Sequence, residues 1–402
     1  MHIVYICREY PPSLRGGGIA SYLKIVAEGF TTRGHKVTVV TANDDTSVEK
    51  RETVNGVSVI RLAGGDFCIP KAESKSGFIH KFRFMYRFHS YRRRVLAEVK
   101  RLDKIDIIEV AEFGAEALYL KGISIPVVYR LHTPALFDHN NQTIQSVSLG
   151  NFPYYYGGLK EIELLRKNAR FITSCSSSLK QWAVKYCSLN SESIKVIYNP
   201  VQSDFLKSYE SERTDCTPKP YVFFAGTICD WKGVEDLICA CKVLNDNGFE
   251  IPLFMAGKTG EYAKKLKVKY SACTWLHFLG KINQEELKGY YRNATAVCFP
   301  SWWENMPMVC IEAMSMGAIV IGSDSGGMAE IIEDGVSGFL MSPKRPEKWA
   351  EKIKEISGLT PRQRKEISFN AHRRVATTFS LDSILGSTES YYNYCISSNN
   401  KN

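Results

Sequence analysis

Two glutamates with seven residues between them, Glu304 and Glu312, are the sharpest chemical signal in this sequence. Phe299-Pro300-Ser301 ahead of them reads as a strand end and loop, and Met308–Met316 as a helix. Glu304 therefore falls in the loop and Glu312 within the first turn or two of the helix. An ionised carboxylate accepts two hydroxyl hydrogen bonds at once, which is how proteins grip the vicinal diols of sugars and ribose. Between the two acids, the amides of Met308 and Val309 open the helix and suit a phosphate. Taken singly, Glu304 serves as well as a dipole-stabilising acid, and Glu312 as a surface acid. A second phosphate-suited segment is Pro11-Pro12-Ser13-Leu14-Arg15-Gly16-Gly17-Gly18, between a strand and a helix. Its glycines let backbone approach a ligand ahead of a helix N-terminus. The segment is neither Gly-x-Gly-x-x-Gly nor a P-loop, and a plain tight turn accounts for it as well.

Other residue types exclude more than they assign. The twelve cysteines contain no Cys-x-x-Cys; Cys239 and Cys241 are one residue apart, and Cys7, Cys298 and Cys310 sit in apolar runs. That placement predicts buried thiols in a reducing compartment and no metal site. The formal charge of +10 comes from 52 basic and 42 acidic residues, and much of it is local. Basic and aromatic residues alternate over 81–94, from Lys81-Phe82-Arg83 to Arg92-Arg93-Arg94, and Lys100-Arg101 follow. Such a patch attracts phosphodiesters, anionic lipid or an acidic acceptor, unless it is only a solvated helix face with buried aromatics. No nucleic-acid-binding signature accompanies it, so nucleic acid is not an expected partner. The opening Met1–Cys7 run has no basic flank, and no apolar stretch nears the ~18 residues of a membrane span. The expected location is cytoplasmic, with a peripheral place at the inner face of the membrane as an option.

The elements that must position these residues follow from periodicity. At 402 residues, 44% apolar and 23% charged, the chain is globular and long enough for two or three domains. Strands are predicted at His2–Cys7, Lys36–Thr41, Val57–Leu62, Ile105–Val110, Pro126–Leu131, Ala169–Ser174 and Ser193–Ile197, with a helix at Ile19–Thr32 and another before Tyr186. A turn at Asn199-Pro200 and a polar stretch with Pro218 and Pro220 read as a linker over 199–220. The alternation then restarts, with strands at Tyr221–Ala225, Pro252–Ala256, Trp275–Phe278, Ala296–Phe299, Ile319–Gly322 and Gly338–Leu340. Helices fall at Val234–Asp246, Gln284–Arg292 and Met308–Met316, and fill the remainder. The predicted fold class is α/β: a unit over 1–198, a second over 221–375, and a C-terminal helix over 376–402 that returns to the first and frays at its end. Two such βαβ units place a ligand cleft at the C-terminal ends of their strands.

With these pieces in order, the sequence resembles retaining glycosyltransferases of family four, which have the GT-B fold, two Rossmann-like domains facing across a cleft. The resemblance is carried by the Glu304–Glu312 segment with Ala313-Met314-Ser315-Met316-Gly317, and by Gly17-Gly18 followed by Gly34-His35-Lys36-Val37. Asn199-Pro200, Phe224-Ala225-Gly226, Lys232-Gly233, Phe278-Leu279-Gly280, Gly326-Gly327-Met328-Ala329-Glu330 and Gly338-Phe339-Leu340 continue it over residues 1 to about 345.

The resemblance implies roles. Gly17 and Gly18 would lie against the donor phosphates, and Lys232 would pair with the diphosphate. Glu304 would hold hydroxyls of the donor sugar and Glu312 those of the ribose. Amides of Met306, Met308 and Val309 would meet sugar and β-phosphate, and the backbone at Gly280 and Lys281 the base. His132, in Arg130-Leu131-His132-Thr133-Pro134, matches a first-domain histidine near the reacting sugar; as an isolated residue it could equally be structural. Glu112 and Arg130 are candidates for the acceptor side, with Glu112 equally an ordinary surface acid. Two positions depart from the family: Thr227 replaces an arginine that pairs with the lysine, and Pro307 replaces a glycine and so lacks an N–H. Arg15, Arg130 or Lys258 could make good the missing cation. The implied reaction moves a sugar from a nucleoside diphosphate sugar to an acceptor hydroxyl with retention, without metal or cofactor. The acceptor would be a saccharide or lipid-linked saccharide in surface polysaccharide or glycolipid synthesis. A nucleotide-sugar epimerase and a non-catalytic sugar-binding protein are the alternatives.

Overall fold

The computed structural model describes residues 1–14, 16–64, 78–210 and 220–400, and divides them into two compact units: residues 1–200 with 384–402, and residues 201–383. In the first unit, short β-branched runs form strands whose side chains are buried on both faces, as a helix-covered parallel sheet requires. Chain order is β1 (His2–Ile6), α1 (Gly18–Thr32), β2 (Lys36–Ala42), β3 (Lys50–Val54), β4 (Val57–Leu62), α2 (Phe78–Arg101), β5 (Ile107–Ala111) and β6 (Val127–Leu131). A small hairpin, β7 (Phe137–Asp138) and β8 (Thr143–Ile144), leads to α3 (Phe152–Asn168), β9 (Phe171–Ser174), α4 (Ser177–Cys187) and β10 (Ile194–Val196). The sheet order is β10-β9-β6-β5-β1-β2-β4-β3, parallel except for the β3–β4 pair. Chain direction along the sheet reverses between β1 and β5, the switch point where the loops after these strands diverge and leave a crevice.

The second unit repeats the plan. It comprises α5 (Ser203–Lys207), β11 (Val222–Ala225), α6 (Val234–Asp246), β12 (Leu253–Ala256), α7 (Glu261–Lys269), β13 (Leu276–Gly280), α8 (Gln284–Asn293), β14 (Ala296–Phe299), α9 (Met308–Ser315), β15 (Val320–Ser323), α10 (Met328–Ile331) and β16 (Phe339–Met341). Then come α11 (Pro346–Ser357), α12 (Pro361–Thr378) and α13 (Leu381–Asn399), which passes into the first unit at Ile384. All six strands are parallel, in the order β13-β12-β11-β14-β15-β16, so the switch point lies between β11 and β14. Leu237, Ile238 and Cys241 of α6 and Trp349 and Ile353 of α11 pack with Val222, Leu253 and Cys298 into one core.

Several elements escape the sequence patterns. Strand β3 is exposed and carries KRETV, with no apolar run, and pairs only through the Asn55–Gly56 turn, both residues at positive φ. Helix α3 carries Tyr154-Tyr155-Tyr156-Gly157-Gly158 in its first turns, a poor helix-forming run, and α7 is mostly charged. Within the stretch read as a linker, 203–207 is helical, and 211–219 lies outside the described residues. The ten described cysteines are free thiols, and no cluster of metal-ligating side chains occurs among the described residues.

Candidate functional site

In the second unit the switch point brings together the loop after β11, which carries Lys232, and the loop after β14, which carries Glu304. Gly233 makes the approach possible. It is left-handed at φ 64°, and a Cβ there would stand 2.1 Å from the Pro300 carbonyl oxygen. The Trp302 amide donates to the Trp231 carbonyl at 2.9 Å, tying the two loops side by side. The Lys232 ammonium, poised 4.4 Å from the Trp231 ring centroid, forms an ion pair with the Glu304 carboxylate. The Ser301 hydroxyl donates to the same Glu304 oxygen at 2.9 Å. Both charged side chains keep a little exposure, 15% and 12%, so a ligand can reach them. From the far side Gly326, at φ 64°, packs its backbone on the Glu304 carbonyl, which the Gly327 amide meets at 2.7 Å.

Helix α9 starts directly beyond this loop. Pro307 is its N-cap and lends no side-chain cap, while its carbonyl takes the amides of Cys310 and Ile311. The amides of Met308 and Val309 lie in the helix's first turn, where no carbonyl precedes them to accept. Glu312 is half-buried one turn further; its carboxyl makes no hydrogen bond or ion pair with another described residue, and burial pushes it up to about 7. Gly280 is left-handed at φ 73°, its carbonyl accepts the Gly257 amide, and Lys281 beside it is exposed. Beyond the ends of β11 and β12, Ala225 pairs with Ala256 and Ile228 with Thr259. Thr227 is therefore the register neighbour of Lys258, whose exposed ammonium has no counter-ion among the described residues. Arg15, another candidate for the missing cation, lies outside the described residues.

In the first unit the glycine loop ends at Gly17, the N-cap of α1, without a side-chain cap; Gly17 and Gly18 are exposed, and open space surrounds the position of a Gly18 Cβ. His132 follows β6, is buried, and sets its ring edge-on to Tyr22 with centroids 5.0 Å apart. Burial, and secondarily the nearby Arg130 charge, hold the imidazole well below its ordinary value, so it is neutral at pH 7. Glu112 is no surface acid: it is 2% exposed, and one of its oxygens accepts the amides of His132 at 2.8 Å and Thr133 at 2.6 Å. Arg130 faces inward, correcting its expected place on the acceptor side. Its guanidinium lies 4.1 Å from the Tyr22 ring centroid and donates to the Ile197 carbonyl and to Asn199, at 3.0 and 2.9 Å. A residue the sequence did not single out is Glu161, buried on α3 and bound to the amides of Gly114 and Ala135. Its signal, an acid on the apolar face of a helix, was hidden with the helix.

The basic segment forms the exposed face of α2. Arg83, Arg87, Arg93 and Arg94 face solvent with Tyr86, which is 69% exposed, while Phe84, Phe88, Tyr91 and Arg92 face inward. The side chains of Lys81 and Phe82 lie outside the described residues. No described helix is long and apolar enough to cross a membrane.

Residues 16–205 match the family model "Glycosyltransferase Family 4", and residues 210–374 match "Glycosyl transferases group 1". An uncharacterised glycosyltransferase of Methanocaldococcus jannaschii is 27% identical over 98% of both chains. A second from that organism is 30% identical over 71% of this chain and 76% of its own length. The O-antigen chain mannosyltransferase RfbU of Salmonella typhimurium is 28% identical over 57% of this chain and 64% of its own. Among solved structures, sucrose-phosphate synthase of Thermosynechococcus elongatus superposes with a TM-score of 0.77 at 19% identity, covering 99% of both chains. Anabaena HepE in complex with UDP-glucose gives 0.70 at 18% identity, over 97% of this chain and 100% of that one.

Proposed function

Because this chain belongs to glycosyltransferase family four, with two Rossmann-like units of the GT-B type, we propose that it moves a sugar from a nucleoside diphosphate sugar to an acceptor hydroxyl with retention of configuration. The observation that carries the reading is the Lys232–Glu304 pair at a switch point, beside the uncapped start of α9 and a Glu312 carboxylate with no partner among the described residues. A diphosphate takes Lys232 as its counter-ion, which frees Glu304 for sugar hydroxyls. Glu312 takes the ribose diol, and the amides of Met306, Met308 and Val309 meet sugar and β-phosphate. Gly280 and Lys281 face the base, for which uridine is favoured by the UDP-glucose complex of HepE. Lys258, in register with Thr227, supplies the second cation. With Gly17 and Gly18 opening α1 as a further phosphate-suited terminus, the proposed site needs neither metal nor cofactor.

In the proposed step the acceptor oxygen bonds to the anomeric carbon on the face the diphosphate leaves. The carbon–oxygen bond to phosphate breaks, and the hydroxyl proton passes to the departing phosphate oxygen. Lys232 and Lys258 stabilise the charge that develops there, usually the largest single contribution to catalysis. In this reading neutral His132 serves as a hydrogen-bonding group toward the transferring sugar. The relative that extends O-antigen chains supports a saccharide or lipid-linked saccharide acceptor, in surface polysaccharide or glycolipid synthesis. The arginine-rich face of α2 suits contact with an anionic leaflet from the cytoplasmic side.

Thermal-shift screening of uridine, guanosine and adenosine diphosphate sugars tests the reading, since a ligand bound only by folded protein raises the melting point. A uridine donor is expected to do so and then to be consumed with acceptor. Donor turnover undiminished in both Lys232→Ala and Glu304→Ala would refute the site.

A further inference from the structure

Two buried carboxylates in the first unit have no place in that scheme, yet they form a regular arrangement. Glu112 projects from the loop after β5 and accepts the amides of His132 and Thr133, in the loop after β6. Glu161 projects from α3 and accepts one amide from each loop, Gly114 at 2.5 Å and Ala135 at 2.9 Å. Three backbone donors within four residues of the loop after β6, at His132, Thr133 and Ala135, and a fourth at Gly114 in the loop after β5, are thus held by two acids that are 2% and 1% exposed. Glycine at 158 lets α3 come close enough: a Cβ there would meet Leu136 at 2.7 Å and Ala135 at 3.3 Å, one helical turn before Glu161. Gly114, left-handed at φ 85°, is gripped from its other side by buried Arg92 of α2, whose Nε donates to its carbonyl at 2.8 Å.

Burying two acids is costly, and hydrogen bonds from fixed amides only partly offset it. A plain loop closure needs none of this, because apolar contacts hold loops without the desolvation cost. What buried carboxylates add is direction: each oxygen fixes the orientation of the peptide planes that donate to it. We propose that Glu112 and Glu161 are positioning residues, which staple the loops after β5 and β6 together so that His132 is presented to the transferring sugar in one orientation. The proposal rests on the transferase reading of His132.

The two acids differ in a way that makes the proposal testable. One oxygen of Glu112 takes both amides and the other has no hydrogen-bond partner. Glutamine keeps the carbonyl that takes both amides and sets its NH2 on the side where the second oxygen makes no hydrogen bond among the described residues, so no existing bond is broken. Both oxygens of Glu161 accept, so glutamine there must set an N–H against an N–H. Glu112→Gln should therefore keep turnover within about threefold, while Glu161→Gln and Glu112→Ala lower kcat on the order of tenfold to a hundredfold, the scale of a roughly 1 Å misplacement. The donor KM, to which the second unit contributes the diphosphate and ribose contacts, should change less than kcat, by no more than about threefold. Amide hydrogen exchange reads the staple directly: it should quicken at Gly114 and Ala135 in Glu161→Gln, and at His132 and Thr133 in Glu112→Ala. Quickened exchange with unchanged kcat would overturn the proposal, as would unchanged exchange in both variants. A wild-type protein that transfers from no donor would instead overturn the transferase reading, and the exchange pattern would separate that failure from this one.

Discussion

At Glu312 a single carboxyl group can be followed through binding. Burial raises it to about 7, and no lysine, arginine or hydroxyl partner among the described residues pulls it back. The ionised form accepts a diol, so donor binding must lower this pKa and release a proton near neutrality. Affinity for a nucleoside diphosphate should hence fall as pH drops below about 7, by up to about tenfold per unit. Isothermal titration at pH 6, 7 and 8, in buffers of different ionisation enthalpy, measures both slope and proton release; a slope unchanged in Glu312→Gln would exclude this residue. For stability the sign is opposite. A carboxyl raised in the folded state contributes stability that is full below its unfolded value and lost as pH rises through about 7. Lys232→Ala should cost on the order of 10²–10³ in turnover, the scale set by loss of one charge-stabilising donor. Initial rates with saturating donor check this, and a loss under threefold would be too small for a counter-ion of the leaving group. Glu304 and Glu312 stood out in the sequence because one local segment carries both, whereas Lys232, 72 residues from the Glu304 it pairs with, entered only through the family resemblance. Glu161 did not stand out, because its meaning depends on amides 26 and 47 residues away.

At the scale of elements, pairing places the motifs. Every predicted strand forms, since β-branched runs buried on both faces leave few alternatives, and the parallel order then fixes the two switch points. What stayed illegible is structure held by context: exposed β3 hangs on a two-residue turn, and α3 forms despite paired glycines because it packs on Ala135 and Leu136. Arg130 was misread for a related reason. A cation at a strand end looks available for a ligand, but β6 is a central strand and the side chain is enclosed. The element-scale prediction concerns the turn before α6. Gly233→Ala adds a methyl 2.1 Å from the Pro300 carbonyl oxygen at a left-handed φ, so the two loops must separate. A loss of about 1–3 kcal/mol is expected from the strain alone. Donor affinity should fall more steeply than in Gly248→Ala, where φ is 78° but no atom lies within 4 Å of the new Cβ. Chemical denaturation and donor titration of the pair separate strain from clash. Equal effects at both sites would mean that the close approach to Pro300 does not hold Lys232 in place.

On the scale of the whole chain, α13 leaves the second unit and completes the core of the first, far from it in sequence. Its Tyr392 hydroxyl donates to Glu109 of β5 at 2.8 Å and lies 3.3 Å from the Tyr5 hydroxyl of β1. The Tyr22 hydroxyl donates to the other Glu109 oxygen at 3.3 Å, and Arg130 sits over the Tyr22 ring. Burial raises the Glu109 carboxyl, while the Arg130 charge and the two tyrosine hydroxyls oppose that shift. The C-terminal helix is therefore part of the electrostatic support of a buried acid at the centre of the first sheet, next to the strand that leads to His132. Tyr392→Phe keeps the packed ring and removes only the hydroxyl, leaving one Glu109 oxygen without its shorter donor. That should destabilise the first unit by about 1–3 kcal/mol, the cost of an unsatisfied buried acceptor. Hydrogen exchange of β1 and β5 amides reports the first unit separately from the second, whose amides should be unaffected. If β1 and β5 kept their protection, Glu109 would have to be protonated and content without the helix, and the return of α13 would be a matter of apolar packing alone.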